Sequence, residues 1–178
     1  LEKYMEELVG ENIFNCYQNQ FPLVIKFLDI TDKLSVQVHP TDEIAMQQYD
    51  SYGKREFWYV MDAGPDAFVY LGFKRDVTAQ EFYDCCTGGT LDSIMNCFHP
   101  KKGDCYLIEP GTVHSAGGGV LLLETQTASD ITFRIYNWGR EKNPATRRAM
   151  HLQEAMECIN FEKLDIGRCV KSTAATSG

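Results

Sequence analysis

The sequence has no hydrophobic run that could span a bilayer. Such a span needs about 20 consecutive apolar residues, and the longest apolar stretch, Gly119–Leu123, has only the length of a β-strand. Positive charge is also scarce, because 17 Lys and Arg stand against 25 Asp and Glu and leave a net charge of −8. General binding to nucleic acid or to anionic membranes rests on clustered cations, so this balance argues against both partners. An anionic substrate would need a local cluster of positive charge.

A disulfide framework is also missing from the pattern. The seven cysteines are odd in number, none forms a Cys-x-x-Cys pair, and Cys85 and Cys86 are adjacent. The sequence shows no signal peptide, and its start at Leu1 rather than Met fits a processed or partial product. These features predict a thiol-bearing cytoplasmic protein, in which a cysteine such as Cys105 packs as a small buried hydrophobe.

Short apolar segments separated by turn residues make up most of the chain. With 178 residues, 44% hydrophobic and 12% aromatic, the sequence has room for one packed domain. Gly, Pro and Asp separate the segments, as at Asp62–Asp66 and Pro110–Gly111. The predicted strands lie at 21–30, 34–39, 57–61, 67–73, 104–109, 120–126 and 131–138. This pattern predicts a mainly β protein, an antiparallel sandwich or barrel with a few short helices.

Helical patterns are confined to short stretches. Apolar spacing over 1–9, with Gly10 as a stop, predicts a helical lead-in over 1–20 ahead of a β barrel over 21–140. Thr41 and Thr78 each precede acidic residues and predict helix N-termini, the second as a capping box with Glu81.

The end of the chain is predicted to hold one more helix. Past Pro144, apolar residues at helical spacing predict an amphipathic C-terminal helix over 145–160. We therefore expect a single domain over 1–165 and a loose tail over 166–178.

Four residues form a candidate metal site in this predicted domain. Gln37 and His39 lie two apart in an alternating segment, so both side chains project from one face of a strand. His114 follows a tight Pro-Gly turn, and Glu56 begins another strand. This N/O set without sulfur suits Zn²⁺, with manganese, iron or cobalt as alternatives, and leaves positions for water or substrate. A polar strand face that is merely hydrated is the other interpretation of the first pair.

Ordered motifs also carry a resemblance to a known family. They are Leu34–Pro40, Gly53–Tyr59 and Pro110–His114, and the resemblance extends over about 20–160. Together they resemble the type I mannose-6-phosphate isomerases, metal enzymes of the cupin superfamily. The resemblance implies a cupin-type jelly-roll barrel and the interconversion of mannose 6-phosphate and fructose 6-phosphate. It implies one Zn²⁺ per chain, with the ligands Gln37, His39, Glu56 and His114. Members of the family are longer on both sides of the matching region.

The resemblance also places Arg134 and Glu124 at this pocket, with Lys54 close to the metal. A proton must move between adjacent sugar carbons, and Lys54 and Glu124 are both candidate bases. Lys54 qualifies if a neighbouring dication lowers its pKa, and otherwise contacts substrate; Glu124 qualifies if burial raises its pKa. Arg134 can bind phosphate or stabilise an enediolate, and its other interpretation is a salt bridge to Asp130 or Glu124.

Two further residues are predicted to contact substrate, and two histidines are not. Ser35 lies two residues before Gln37 and is expected on the same strand face, where it would contact a phosphate or hydroxyl unless it is simply exposed to solvent. Arg148 is expected at the rim of the pocket. His99 and His151 are predicted to be surface or packing residues.

Other functions stay open at this point. A metal-binding cupin without isomerase activity, such as a truncated sugar-phosphate-binding module, is separated from the enzyme by an assay with mannose 6-phosphate, with and without Zn²⁺. An iron-dependent cupin oxygenase usually uses three histidines or two histidines and a carboxylate, a set that Gln37 does not fit; tightly held iron with oxygen uptake would favour it. A purely structural β domain is the last alternative.

Overall fold

A computed structural model of the chain describes residues 2–18, 20–145 and 147–173. Within these residues the strands are β1 (Leu23–Ile30), β2 (Val36–Val38), β3 (Glu56–Ala63), β4 (Phe68–Phe73), β5 (Met95–Phe98), β6 (Cys105–Ile108), β7 (His114–Gly117), β8 (Val120–Thr127), β9 (Phe133–Tyr136) and β10 (Val170–Lys171). The helices are α1 (Met5–Val9), α2 (Glu11–Tyr17), α3 (Asp42–Tyr49), α4 (Ala79–Gly88), α5 (Leu152–Cys158) and α6 (Ile166–Cys169). Short 3₁₀ turns lie at Glu2–Tyr4, Leu91–Ser93 and Arg140–Lys142. Every helix described is too short or too polar to cross a bilayer.

The strands form two antiparallel five-stranded sheets. Sheet A has the order β1-β8-β3-β6-β10, and sheet B has the order β5-β4-β7-β2-β9. Neighbours in space are mostly not neighbours in sequence, which is the connectivity of Greek-key and jelly-roll folds. The predicted mainly β architecture with few short helices is confirmed.

Alternation along the strands explains why the two sheets stack. In β8 the buried residues Val120 and Leu122 alternate with half-buried ones, so one face points inward. The inward faces of both sheets form one core, which contains Trp58, Val60, Val69, Leu71, Tyr106, Ile108, Ala116 and Leu122. A second core covers the outer face of sheet B, where residues of α4 and α5 pack on strand residues such as Val36, Val38, Phe133 and Ile135.

The predicted helix N-termini are confirmed. The Thr41 hydroxyl accepts a hydrogen bond from the Ile44 amide at 3.4 Å, and the Thr78 hydroxyl accepts one from the Glu81 amide at 3.1 Å. The capping box is only half formed, because the Glu81 carboxylate pairs with the Arg75 guanidinium instead of returning to Thr78.

The predicted C-terminal helix over 145–160 is wrong in its extent, because α5 covers only Leu152–Cys158. The His151 amide donates to the Arg134 carbonyl at 2.8 Å, and the Arg134 amide donates to His151 Nδ1 at 3.2 Å. These bonds hold the chain against β9, so the His151 amide is unavailable for an intrahelical bond. At the other end, the Asn160 amide donates to the Gly111 carbonyl at 2.9 Å.

The expectation of a loose tail over 166–178 is also wrong for the part that the structure describes. Residues 166–171 form α6 and β10, and β10 pairs with β6. The buried Asp104 carboxylate accepts hydrogen bonds from Ser172 Oγ at 3.1 Å and from the Thr173 amide at 2.9 Å, which ties the segment down. Residues 174–178 lie outside the described residues, and the predicted single domain over 1–165 stays a prediction.

Candidate metal centre

Three of the four predicted ligands meet inside the barrel. His39 directly follows β2, Glu56 begins β3 and His114 begins β7, and all three side chains are buried. Their ligand atoms all lie within 4.8 Å of one another. His39 Nε2 is 3.0 Å from one carboxylate oxygen of Glu56, and His114 Nε2 is 3.5 Å from the other.

Strand register brings the fourth predicted ligand to the same place. Gln37 on β2 lies directly opposite His114 on β7, and such antiparallel partners project to one side of a sheet. The Gln37 amide nitrogen is 3.2 Å from His114 Nε2. A half-turn of the amide group would bring its oxygen to this position, so Gln37 can complete the N/O donor set.

The Pro-Gly turn fixes the approach of His114. Gly111 adopts a φ of 83°, in the left-handed region that favours glycine. Its amide donates to the His39 carbonyl at 2.8 Å. A Cβ at this position would lie 2.9 Å from the Cys158 carbonyl oxygen, so glycine is required on steric grounds as well.

Hydrogen bonds on the far side of each ring aim the two imidazoles. His39 Nδ1 is 3.0 Å from the Ile131 carbonyl, and His114 Nδ1 is 2.8 Å from the Thr112 carbonyl. A carbonyl can only accept, so each Nδ1 carries the proton and each Nε2 presents a lone pair to the shared centre. Within the described residues, His39 Nε2 and Glu56 Oε2 are buried without a hydrogen-bond partner. Lone pairs that converge in this way fit a divalent cation.

The electrostatics of the cluster keep the ligands in their binding forms. Burial lowers the pKa of His39 to about 4, although the Glu56 carboxylate acts in the opposite direction. Burial also lowers the pKa of His114. Burial alone would raise the pKa of Glu56, but His39, His114 and the Lys54 ammonium together hold it below its usual range. At neutral pH the cluster is therefore two neutral imidazoles and one carboxylate, as metal binding requires.

The metal-free chain is expected to lose stability as the pH falls from about 6.5 towards 4. His39 has a pKa of about 4 in the fold against 6.5 ordinarily, so the unfolded chain binds more protons in this interval. The lowered pKa of His114 acts in the same direction. Urea titrations of the chelated protein should show the free energy of unfolding dropping by about 2 kcal/mol between pH 7 and 4.5. A His39→Asn variant should show a smaller drop, and equal drops in both proteins would contradict this account.

Lys54 lies against the cluster and Arg134 lies beside it. The buried Lys54 Nζ is 3.1 Å from a Glu56 oxygen and 3.3 Å from Thr132 Oγ1. Arg134 on β9 stands opposite Gln37 and therefore projects to the same face. Its Nε is buried without a hydrogen-bond partner in the part of the chain described. Burial and the neighbouring Arg148 guanidinium lower the pKa of Arg134.

The alternative salt bridge from Arg134 to Asp130 or Glu124 is therefore not formed. The Glu124 carboxylate instead lies 3.1 Å from Lys26 Nζ and accepts a hydrogen bond from Trp58 Nε1 at 2.9 Å. The Trp58 ring packs edge-on against the His114 ring with 5.5 Å between centroids. Glu124 is thus linked to the His39–Glu56–His114 cluster indirectly, through Trp58.

Lys26, Trp58 and Thr132 are site residues that the sequence analysis missed. Lys26 interrupts an otherwise apolar run, and a charge on a predicted core strand was the signal that it faces a polar pocket. Trp58 is fully buried, and its indole N–H requires an acceptor, which Glu124 supplies.

The two predicted substrate contacts, Ser35 and Arg148, line one cavity of about 320 Å³. Its other lining residues are Asp32, Lys33, Asn137 and Arg140. Arg140 pairs with Asp32 at 2.8 Å, which leaves an excess of positive charge around this cavity. His99 is exposed, and His151 packs against Phe133, as predicted.

The family model of phosphomannose isomerase type I, catalytic domain, matches residues 1–66. The chain is 38% identical over 147 residues to mannose-6-phosphate isomerase ManA of Bacillus subtilis, a match that covers 82% of this chain and 46% of that protein. It is 33% identical over 162 residues to mannose-6-phosphate isomerase of Streptococcus mutans, covering 89% of this chain and 51% of that protein.

A solved structure shares the fold. The crystal structure of mannose 6-phosphate isomerase from Bacillus subtilis superposes with a TM-score of 0.79 at 29% identity, and the match covers 91% of this chain and 52% of that chain. The cupin-like fold is thereby confirmed. The chain spans about half the length of the curated relatives it matches.

Proposed function

Because the chain belongs to the type I phosphomannose isomerase family, we propose that it acts in the interconversion of mannose 6-phosphate and fructose 6-phosphate. The observation that carries this proposal is the buried His39–Glu56–His114 cluster together with Arg134, whose Nε has no hydrogen-bond partner among the described residues. Buried imidazoles and a carboxylate supply a cation site, and Arg134 supplies positive charge for an anionic substrate. The seven free cysteines support a cytoplasmic location.

We assign one Zn²⁺ to this centre, held by Gln37, His39, Glu56 and His114. The N/O set without sulfur and the aimed Nε2 atoms support this assignment. A bound Zn²⁺ supplies Lewis acidity to the carbonyl and neighbouring hydroxyl oxygens of an open-chain sugar.

We assign the proton transfer to residues of the chain itself. In the proposed reaction a base removes the proton from C2 of the aldose and a proton is delivered to C1 of the enediolate, while the O2 hydroxyl proton passes to O1, so that no atom is gained or lost. The geometry favours Lys54 as this base, because its Nζ contacts Glu56 at the centre, whereas Glu124 reaches the centre only through Trp58. Glu124 and Lys26 are assigned to a polar wall that orients the sugar.

Arg134 is assigned to the negative charge that develops on the enediolate oxygens. It projects to the same face as Gln37 and has no carboxylate partner within the described residues. Arg148 lies close enough to affect the Arg134 pKa and shares a cavity with Ser35, so we place the substrate phosphate in this cavity. A bound anion would stabilise two neighbouring guanidinium groups.

A coupled assay with mannose 6-phosphate tests the proposal. The chelated chain should show no turnover, and one equivalent of Zn²⁺ should restore it; turnover that persists after complete chelation would contradict the metal dependence. The half-length match to relatives favours a second candidate, a sugar-phosphate-binding module without activity. Calorimetric binding of mannose 6-phosphate by the zinc-loaded chain without any turnover would identify that module.

Replacing Trp58 with phenylalanine is expected to reduce kcat while zinc is retained. The variant keeps a ring against His114 but removes the N–H that holds Glu124. Loss of one orienting hydrogen bond should lower kcat about tenfold. Tyr59→Phe, on the exposed face of the same strand, is the matched control and should be silent. Equal activity of Trp58→Phe and the control would remove Trp58 from the site.

A further inference from the structure

Trp138 adopts a backbone conformation that is rare for a bulky residue. Its φ is 58°, in the left-handed region, and it lies two residues beyond the end of β9. A bulky residue persists in this region only where its surroundings hold it there, and such residues cluster at binding and catalytic sites. The contacts that hold Trp138 therefore bear on function.

The Trp138 side chain contacts the loop that joins β1 to β2, residues 31–35. Its indole N–H donates to the Leu34 carbonyl at 2.6 Å. The Lys33 ammonium lies over the indole, 4.7 Å from the ring centroid, and it is 5.7 Å from the ring centroid of Phe68. Cations are attracted to the faces of aromatic rings, so the two rings hold this ammonium in one place.

The indole is itself held by an aromatic cluster. Tyr70 and Tyr136 pack against Trp138 with 5.7 Å and 5.4 Å between ring centroids. Phe68 stands edge-on to the indole at 6.4 Å. Rings that pack on one another in this way leave the indole little rotamer freedom. The position of the Lys33 ammonium therefore follows from side chains that sheet B holds in place.

Arg140 and the β7–β8 hairpin fix the backbone of the same loop. The Arg140 guanidinium pairs with the Asp32 carboxylate at 2.8 Å and donates to the Lys33 carbonyl. The Leu34 amide donates to the Ala116 carbonyl at 2.9 Å. The loop is thus bonded through its side chains and its backbone, and its residues are held in position before a ligand binds.

The loop brings Lys33 and Ser35 to the cavity of about 320 Å³ that Arg148 also lines. Among the described residues that line this cavity, Asp32 is the one acid, and Arg140 already pairs with it. Lys33 and Arg148 thus supply positive charge beside the Ser35 hydroxyl. Cations next to a hydroxyl donor form a set that recognises phosphate.

This cavity lies at a suitable distance from the metal centre. Ser35 precedes Gln37 by two residues, and two residues of extended chain span about 7 Å. An open-chain hexose extends over a comparable length between its carbonyl group and its phosphate. A sugar phosphate can therefore reach from Gln37 to Ser35 and Lys33.

We propose that Lys33 binds the phosphate of the substrate and that Trp138 is the residue that positions it. This inference rests on the proposed function, because the phosphate is that of mannose 6-phosphate. Lys33 contributes to affinity and to the choice of a phosphorylated sugar, and it takes no part in the proton transfer at the metal centre. Its loss should therefore raise KM and leave kcat unchanged.

Calorimetric titration of the zinc-loaded chain with mannose 6-phosphate tests the role of Lys33. Lys33→Met removes the charge and should weaken binding about tenfold, whereas Lys33→Arg keeps the charge and should retain most of the affinity. Lys102→Met is the matched control, since Lys102 is also exposed and lies outside the described lining of the cavity. It should bind like the unmodified chain. A Lys33→Met variant that binds as tightly as this control would overturn the inference.

The same titration, read together with turnover, separates this inference from the proposed function. Binding weakened by Lys33→Met in a chain without turnover would overturn the isomerase activity and support the inference. Turnover with equal KM values in Lys33→Met and Lys102→Met would support the activity and overturn the inference. An unmodified chain that binds no mannose 6-phosphate would overturn both.

Double variants test whether Trp138 acts through Lys33. Trp138→Phe keeps a ring but removes the N–H that holds Leu34, so it should weaken binding about threefold in the unmodified chain and change it little in the Lys33→Met background. Phe68→Leu, which removes the other ring near the ammonium, should show the same dependence on Lys33. Equal losses in both backgrounds, on samples with the same zinc content and unfolding curve, would overturn the positioning role.

Discussion

His114→Ala is expected to abolish zinc binding and to lower turnover of mannose 6-phosphate at least a thousandfold. His114 begins β7, is fully buried, and has its Nε2 fixed by the hydrogen bond from Nδ1 to the Thr112 carbonyl. Alanine removes the Nε2 atom that would bind the metal. Among the described residues no other His, Cys, Asp or Glu belongs to the cluster with His39 and Glu56. Zinc content by mass spectrometry and the coupled isomerase assay measure the two effects on the same preparation.

The matched control for this variant is His99→Ala. His99 is also a histidine next to a strand of sheet B, but its ring is exposed and lies outside the cluster. This control should keep both zinc and turnover. Full zinc content in a folded His114→Ala variant would refute the ligand assignment, and an unfolding curve recorded on the same sample confirms that the fold is intact.

Arg134→Ala is expected to keep zinc and to lower kcat/KM for mannose 6-phosphate by about a hundredfold to a thousandfold. The arginine projects to the face of Gln37, and its charge is not neutralised by a carboxylate within the described residues. Arg134→Lys keeps the charge but loses the planar fork of donors, so it should recover only part of the rate. Steady-state kinetics on the zinc-loaded variants separate an effect on kcat from one on KM.

Arg75→Ala provides the control for Arg134. Arg75 is exposed and pairs with Glu81 at the start of α4, and neither residue belongs to the His39–Glu56–His114 cluster. Its removal should leave the kinetic constants unchanged. An Arg134→Ala variant as active as this control would take Arg134 out of the site, and loss of zinc from it would assign the residue to the metal shell instead.

Most of the strands could be predicted because short apolar, aromatic and β-branched segments are separated by turn residues. The segments that became β1, β4 and β8 contain apolar runs of strand length, and this signal is local. Three strands, β5, β7 and β10, lie outside the predicted segments. β5 (Met95–Phe98) and β7 (His114–Gly117) are only four residues long. β10 forms because Asp104, some seventy residues earlier, holds the segment that follows it.

The C-terminal helix, in contrast, was predicted to be longer than it is. Its apolar spacing past Pro144 was correct for Leu152–Cys158, but backbone bonds to β9 and to Gly111 fix both its limits. Such long-range bonds override a local helical preference and leave no periodic trace in the sequence.

Part of the candidate site could likewise be predicted from local spacing, and part depends on the strand register. Gln37 and His39 could be predicted because two-residue spacing on a strand is local. His114 was a candidate from the Pro-Gly turn before it and Glu56 from its place at the start of another strand, and the resemblance implied the same four ligands. The contact of Glu124 with Lys26 and Trp58 depends on the β1-β8-β3 register, which joins residues about 65 to 100 positions apart. The partners of Glu124 therefore could not be predicted from the sequence, and the salt bridge to Arg134 that was kept as an alternative is not formed.

An anomalous difference map at the zinc absorption edge, from crystals grown with one equivalent of Zn²⁺, shows whether these four side chains hold the metal. We expect one peak per chain, about 2.0–2.2 Å from His39 Nε2, His114 Nε2 and a Glu56 oxygen, with the Gln37 amide oxygen turned towards it. A map without a peak among these four side chains, or with the zinc bound elsewhere on the chain, would contradict this expectation.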